Sequence, residues 1–200
     1  PVAGCRSQIV NLLPLLIASM DRRDGQRLRV LDFGGAGGQT YLDNSDMISM
    51  EGVDYWIHDL PETMSVGKQF FERSGLTCQV RFIEDLSSIN AVDIVYCGSA
   101  LQYIPDYRSA LAQLMIMRPK CFLLTDHFMG RHPTFATAQV NMRGRRMAYW
   151  IFQLDEIVEL FKARGYRLVY KSSNYQPYHD LNNFDERYRV RDSSNLLFWD

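Results

Sequence analysis

Two hundred residues with 46% hydrophobic content are enough chain to close one domain around a full core. The formal charge of −1 gives no long-range pull toward nucleic acid or an anionic membrane. No apolar run reaches the length of a bilayer span, since residues 12–20 are too few and include Pro14. Cys5, Cys78, Cys97 and Cys121 are scattered, without a C-x-x-C pair. That argues against zinc and fits a reducing compartment, so a cytoplasmic location is expected.

In chain order, Ser7 is placed to cap a helix whose apolar positions Ile9, Leu12, Leu13, Leu16, Ile17 and Met20 share one face. Pro14 predicts a kink or a start near Asn11, and Asp24-Gly25 turns the chain into the first strand. Residues 28–33 read as a buried strand, and four glycines around Ala36 follow it. Residues 39–50 predict a modest helix, weakened by Asn44, Ser45 and Asp46. A second strand over 53–58 stops at Asp59-Leu60-Pro61, and Pro61 with Glu62 opens a helix that runs to Arg73. Residues 80–83 form a third strand ending at Glu84-Asp85, and 92–97 a fourth.

Asp106 caps the next helix, to about Met117. Residues 121–126 are a fifth strand, and 128–152 a connection that is partly helical at most. Residues 154–164 are an amphipathic helix closed by Gly165. Strands over 166–171 and 196–199 enclose a long polar and aromatic stretch, 172–195, which is either a functional flap or a sign of misplaced strands. The alternation predicts an α/β chain with a mostly parallel sheet covered on both faces, its ligand crevice beyond the carboxyl ends of the strands.

That rule singles out the glycine turn. Its bare backbone admits a ligand closely, and the following helix aims free N–H groups at it. Two ligand classes compete. A dinucleotide site asks for G-x-G-x-x-G with an acid roughly 20 residues further on for the ribose, and Thr40 stands where its third glycine belongs. Taken instead as one unit, Asp32-Phe33-Gly34-Gly35-Ala36-Gly37-Gly38 resembles motif I of the class I S-adenosylmethionine-dependent methyltransferases. It is most similar to the Asp-x-Gly-Gly-Gly-x-Gly form of small-molecule O-methyltransferases, with Ala36 in place of the middle glycine. Asp32 favours this reading, because a carboxylate repels a pyrophosphate and attracts the ammonium of a methionine tail.

The resemblance covers residues 28–171. It implies a Rossmann-like doubly wound sheet of about seven strands, mostly parallel with an antiparallel C-terminal strand, and helices on both faces. It implies S-adenosyl-L-methionine as cofactor, S-adenosyl-L-homocysteine as product, and no metal. The expected cofactor contacts are Asp32, Gly34, Gly35, Gly38, Asp59, Leu60, Asp85, Leu86, Gly98 and Ser99. Asp59, 21 residues after Gly38, can accept both hydroxyls of a ribose, or cap the helix at Pro61. Asp59-Leu60-Pro61 also resembles the Asp-Leu-Pro of several O-methyltransferases. Asp85 matches the position that accepts from the adenine amine, with Glu84 its rival. The chain is expected to be one domain, 1–200, with an N-terminal helix in 1–25 and substrate-side insertions at 128–152 and 172–195.

For the acceptor, His127 is the candidate general base, with Asp126 able to orient it if alternation along the strand allows. His58 is expected to face away from Asp59, and His132 and His179 fall in loops. After the fourth strand stands Gly98-Ser99-Ala100-Leu101. Enzymes that methylate amides resemble one another in an Asn/Asp-Pro-Pro-aromatic run there, so its absence favours small-molecule acceptors. Tyr103, Tyr149 and Trp150 are the substrate-side candidates. Beside them Arg143-Gly144-Arg145-Arg146 is either a solvated end or a site for an anionic substrate, ahead of RNA. Tyr175, Tyr178, Tyr188 and Phe184 either cover the acceptor or pack their loop onto the body. The expected activity is methyl transfer to a small molecule at oxygen. A nicotinamide-dependent oxidoreductase and a donor-binding module without catalysis are the alternatives. The expected partner is the acceptor itself, without nucleic acid or membrane; a homodimer is left open.

Overall fold

A computed structural model of the chain describes residues 12–20, 25–77, 79–142, 144–176 and 180–200. The Ser7 cap, Ile9, Asn11, Asp24, Cys5, Cys78, Arg143, Tyr178 and His179 lie outside the described residues.

Five strands run parallel: β1 (Leu28–Phe33), β2 (Val53–His58), β3 (Val80–Phe82), β4 (Ile94–Gly98) and β5 (Cys121–Gly130), in the spatial order β3-β2-β1-β4-β5. A hairpin of β6 (Phe135–Met142) and β7 (Arg145–Gln153) joins the upper end of β5 through Met129↔Phe152 and Gly130↔Gln153. After it come β8 (Arg167–Tyr175) and β9 (Asp192–Trp199), with β9 antiparallel between β5 and β8. The main sheet is therefore the expected seven strands, and the hairpin supplies two more.

β1 and β5 are buried on both faces, which is why they read as nearly unbroken apolar runs. One face packs Leu31, Val95, Phe122 and Phe198 against helices α4 (Tyr107–Ile116) and α5 (Leu154–Lys162). Phe161 of α5 stacks on Phe198 at 3.9 Å. The opposite face packs Val30, Tyr55, Ile94 and Leu123 against α1 (Leu12–Ser19), Tyr41 of α2 (Gln39–Ser45) and Phe71 of α3 (Pro61–Arg73). Pro14 lies within α1, and Asp106 caps α4 by accepting the Ser109 N–H at 3.1 Å.

Three expectations are corrected. Helix α2 stops at Ser45 instead of reaching residue 50, because Asn44 bonds back to the Thr40 carbonyl and Ser45 to that of Leu42. Residues 128–152 are strand, not partly helical. The half-buried positions of β6 are Phe135, Thr137 and Gln139, so the alternation holds in burial but not in hydrophobicity. At its turn, Gly144 takes φ +78°, a left-handed conformation that a side chain would strain. Finally, β8 and β9 extend into 172–195 and pair as far as Tyr175↔Asp192. Buried Ser193, Ser194 and Asn195 disguise that strand. Asn195 donates to the Ser172 hydroxyl and accepts the Asp126 N–H at a bulge in β5, where Asp126 takes φ +58°.

Candidate functional site

The carboxyl ends of β1, β2 and β4 open on a cavity of about 790 Å³ whose wall includes Gly34, His58, Asp59, Ser99, Tyr103 and Met147. Beside it is a hollow of about 600 Å³ walled by Asp85, Leu86 and Gln113. His58 and Glu84 border both.

The glycine turn reaches the cavity through Gly34. Gly34 donates its N–H to the His58 carbonyl at 2.8 Å, with φ +77°. A Cβ on Gly34 would stand 2.1 Å from Cβ of Ala100, and one on Gly35 would stand 2.6 Å from the Asp32 carboxyl carbon. Only bare backbone fits between the strands and the cavity. Gly38 caps α2 from a left-handed conformation. Ala36 takes φ +48°, the same region, and bears the cost of a Cβ there.

Asp32 does not face the cavity as expected. It is buried under Gly35, accepting the Tyr55 hydroxyl at 3.0 Å. Burial pushes its carboxyl up to about 7. Its place is under the turn, as an anchor. Asp59 does border the cavity. One oxygen accepts the Ala36 N–H at 2.8 Å and the other the Leu60 N–H at 2.7 Å, which ties the turn to the start of α3. The cap position of α3 belongs to Leu60, and no side chain caps it.

Asp85 accepts both the N–H and the hydroxyl of Ser87, at 2.9 and 2.6 Å, and these bonds hold its carboxyl below the usual range. It thereby caps the short 3-10 turn Leu86–Ser88 beside the second hollow. Glu84, its rival, pairs with Lys68 at 2.7 Å. His58, next to Asp59 in the chain, borders both hollows. Its ring stacks on Phe33 at 5.5 Å, and Nδ1 sits 2.8 Å from the Ile83 carbonyl, an arrangement that leaves Nε2 as the acceptor.

At the end of β4, Gly98 leaves room for the Tyr96 hydroxyl, which meets Thr125 Oγ1 at 3.0 Å. Ser99 takes φ +52°, gives its N–H to the Thr125 carbonyl and accepts the amide of Gln102 at 2.8 Å. Tyr103 gives its hydroxyl to Gln139 of β6 at 2.9 Å and meets the Tyr149 ring edge-on at 5.2 Å. So Tyr103 is in the wall and Tyr149 is buried behind it, while Trp150 packs away from the cavity against Tyr107. Sequence reasoning missed Met147 and Ala148, which β7 lays against the cavity.

His127 is not brought to the cavity. Because β5 continues to Gly130, the ring is fully buried inside the sheet, where Nε2 accepts the Leu101 N–H at 3.3 Å. Burial drives its pKa down to about 3. Asp126 is engaged elsewhere, by the Gln176 amide. In the late loop, Tyr188 and Phe184 pack on Phe135 of the hairpin, at 5.1 and 6.1 Å, while Tyr175 is exposed. Among the described residues, no group of three His, Cys, Asp or Glu side chains is arranged to hold a metal, and no helix is long and apolar enough to cross a membrane. Cys97 and Cys121 are free and buried.

No protein-family model and no curated sequence matches the chain. Solved structures do resemble it. A SAM-dependent methyltransferase from Methanosarcina mazei is 13% identical at TM-score 0.65, over 93% of this chain and 96% of that one. The 1,6-didemethyltoxoflavin-N1-methyltransferase of Burkholderia thailandensis, solved with 1,6-didemethyltoxoflavin and S-adenosylhomocysteine, is 18% identical at TM-score 0.59, over 88% and 71%. The magnesium protoporphyrin IX methyltransferase of Synechocystis, with bound S-adenosylhomocysteine, is 13% identical at TM-score 0.59, over 94% and 81%. The chain has the fold of the class I S-adenosylmethionine-dependent methyltransferases.

Proposed function

We propose that the chain transfers a methyl group from S-adenosyl-L-methionine to an oxygen of a small molecule, leaving S-adenosyl-L-homocysteine. The observation that carries this reading is Gly34, bare backbone in the cavity wall where a Cβ would strike Ala100, with the Asp59 carboxylate beside it. Bare backbone there suits an aminoacyl tail lying on it. The carboxylate has lone pairs left for vicinal ribose hydroxyls after holding two N–H groups. Asp85 and Leu86 flank the neighbouring hollow, whose size and mixed polarity suit a purine.

When bound, the donor supplies the electrophilic methyl group. The chain's own residues then orient and exclude water. Asp32 holds the turn from below, Asp59 fixes the sugar, and Tyr103 with Met147 closes the acceptor end. An oxidoreductase reading is weaker, because Thr40 stands where the dinucleotide turn needs its third glycine.

Calorimetric titration with S-adenosylhomocysteine and with NAD tests the proposal. Saturable binding of the first alone is expected; binding of NAD alone would overturn it. Donor binding without transfer to any acceptor tested would favour a non-catalytic module.

A further inference from the structure

Resting on that reading, we propose that the acceptor is an apolar-bodied carboxylic acid, and that Ser99 holds its carboxylate by donating a hydrogen bond from its side-chain hydroxyl. Ser99 borders the cavity, and its oxygen already accepts the Gln102 amide. The hydroxyl keeps a proton to donate, which a ligand with an acceptor atom can take. Gln102 is fully buried and cannot swing away. The φ of +52° at Ser99 is a strained backbone held at the end of a central strand, in the manner of functional positions.

The other titratable groups of this wall are committed except His58, whose Nε2 is left as an acceptor. Tyr103 donates to Gln139, Asp59 accepts two backbone N–H groups, and Glu84 pairs with Lys68. His58 stands at the β2 end, shared with the hollow assigned to the nucleobase. An alcohol would need a base to take its proton, whereas a carboxylate arrives without one.

Leu60, Ile104, Met147 and Ala148 make the wall apolar. A carboxylate and a sulfonium lose both charges as they react, so an apolar wall favours the transition state over the separated ions. Arg145 and Arg146 immediately precede Met147, are exposed, and make no ion pair among the described residues. They put two positive charges on the strand that carries Met147, which favours an anion over a neutral acceptor. In the step itself, a carboxylate lone pair forms the new C–O bond as the S–CH3 bond breaks and its electron pair stays on sulfur. The products are a neutral methyl ester and a neutral thioether, and no proton is released.

The test uses the purified chain, tritiated S-adenosylmethionine, and 3-phenylpropionate, 3-phenylpropanol and 4-ethylphenol as matched acceptors. Label on the acid alone, released as volatile methanol by mild alkali, is expected. Alkali-stable label on the alcohol or phenol would overturn the proposal. Independently of turnover, calorimetry of 3-phenylpropionate against the chain saturated with S-adenosylhomocysteine should show binding that Ser99→Gly weakens by about tenfold. Glycine relieves the left-handed backbone but removes the acceptor of the buried Gln102 amide, so unchanged S-adenosylhomocysteine affinity and an unchanged melt in Ser99→Gly are the controls that its wall still stands. If S-adenosylhomocysteine binds and 3-phenylpropionate does not, or if Ser99→Gly leaves its affinity unchanged, the carboxylate assignment falls alone. If S-adenosylhomocysteine itself fails to bind, the methyl-transfer reading falls with it.

Discussion

The two ends of the cavity are built differently. The end assigned to the donor is mostly main chain: Gly34 in the wall, Gly35 packed on Asp32 behind it, Ala36 and Leu60 N–H groups drawn in by Asp59, and short loops at parallel strand ends. The end assigned to the acceptor is mostly side chain: Tyr103, Met147 and Ala148, brought together from the end of β4 and from a hairpin. Main-chain recognition tolerates little substitution, because it depends on φ and on close approach. Side-chain recognition can be rebuilt residue by residue. The same fold can thus keep one donor and change acceptors.

The sharpest way to break this contrast is Asp59→Ala. It removes a carboxylate that accepts two N–H groups at 2.8 and 2.7 Å. Affinity for S-adenosylhomocysteine should fall by about a hundredfold or more. Met147→Ala, at the other end, should leave that affinity within about twofold. Comparable losses in both titrations would erase the distinction between the ends.

Gly34→Ala comes next. Its Cβ would meet Cβ of Ala100 at 2.1 Å, on a backbone at φ +77°. A loss of about 2–3 kcal/mol in urea unfolding is expected. An unchanged midpoint would mean that the turn is looser than the close approach indicates.

Asp32 gives a pH signature. Its folded pKa of about 7 lies above the ordinary 3.8, so the folded state holds the proton longer. Stability of the ligand-free chain should therefore fall as pH rises between those two values, since the folded state binds more protons there. Asp32→Asn should flatten that slope in thermal melts; an equally steep slope in the variant would assign it to other groups. The smallest effect is Ala36→Gly. Relief at φ +48° is opposed by the greater freedom of glycine in the unfolded chain. The net gain should be no more than about 1 kcal/mol by the same melts.

What was legible follows the same divide. The β1 run, the glycine turn, Asp59 and Pro61 at the start of α3 were found from spacing and composition, since each acts through its own stretch of backbone. The hairpin escaped because β6 turns Thr137 and Gln139 inward, where an apolar alternation would have announced a strand. His127 was misplaced because β5 does not end at Asp126. The bulge that lets it continue is steadied by Asn195, 69 positions away in the chain. The place of His58 between two hollows was not legible, because the second hollow exists only once the Leu86–Ser88 turn folds beside β2.

By itself, the sequence determined the alternation of strands and helices, the bare-backbone turn and the acid that closes over it, because periodicity and φ are local properties. Only the tertiary structure decided that Asp32 is an anchor under the turn, that His127 is sealed, and that Ser99 and Met147 face one cavity. Those outcomes depend on which distant segments meet, and hydrogen bonds such as Tyr103–Gln139 or Asp126–Asn195 leave no periodic mark in the chain.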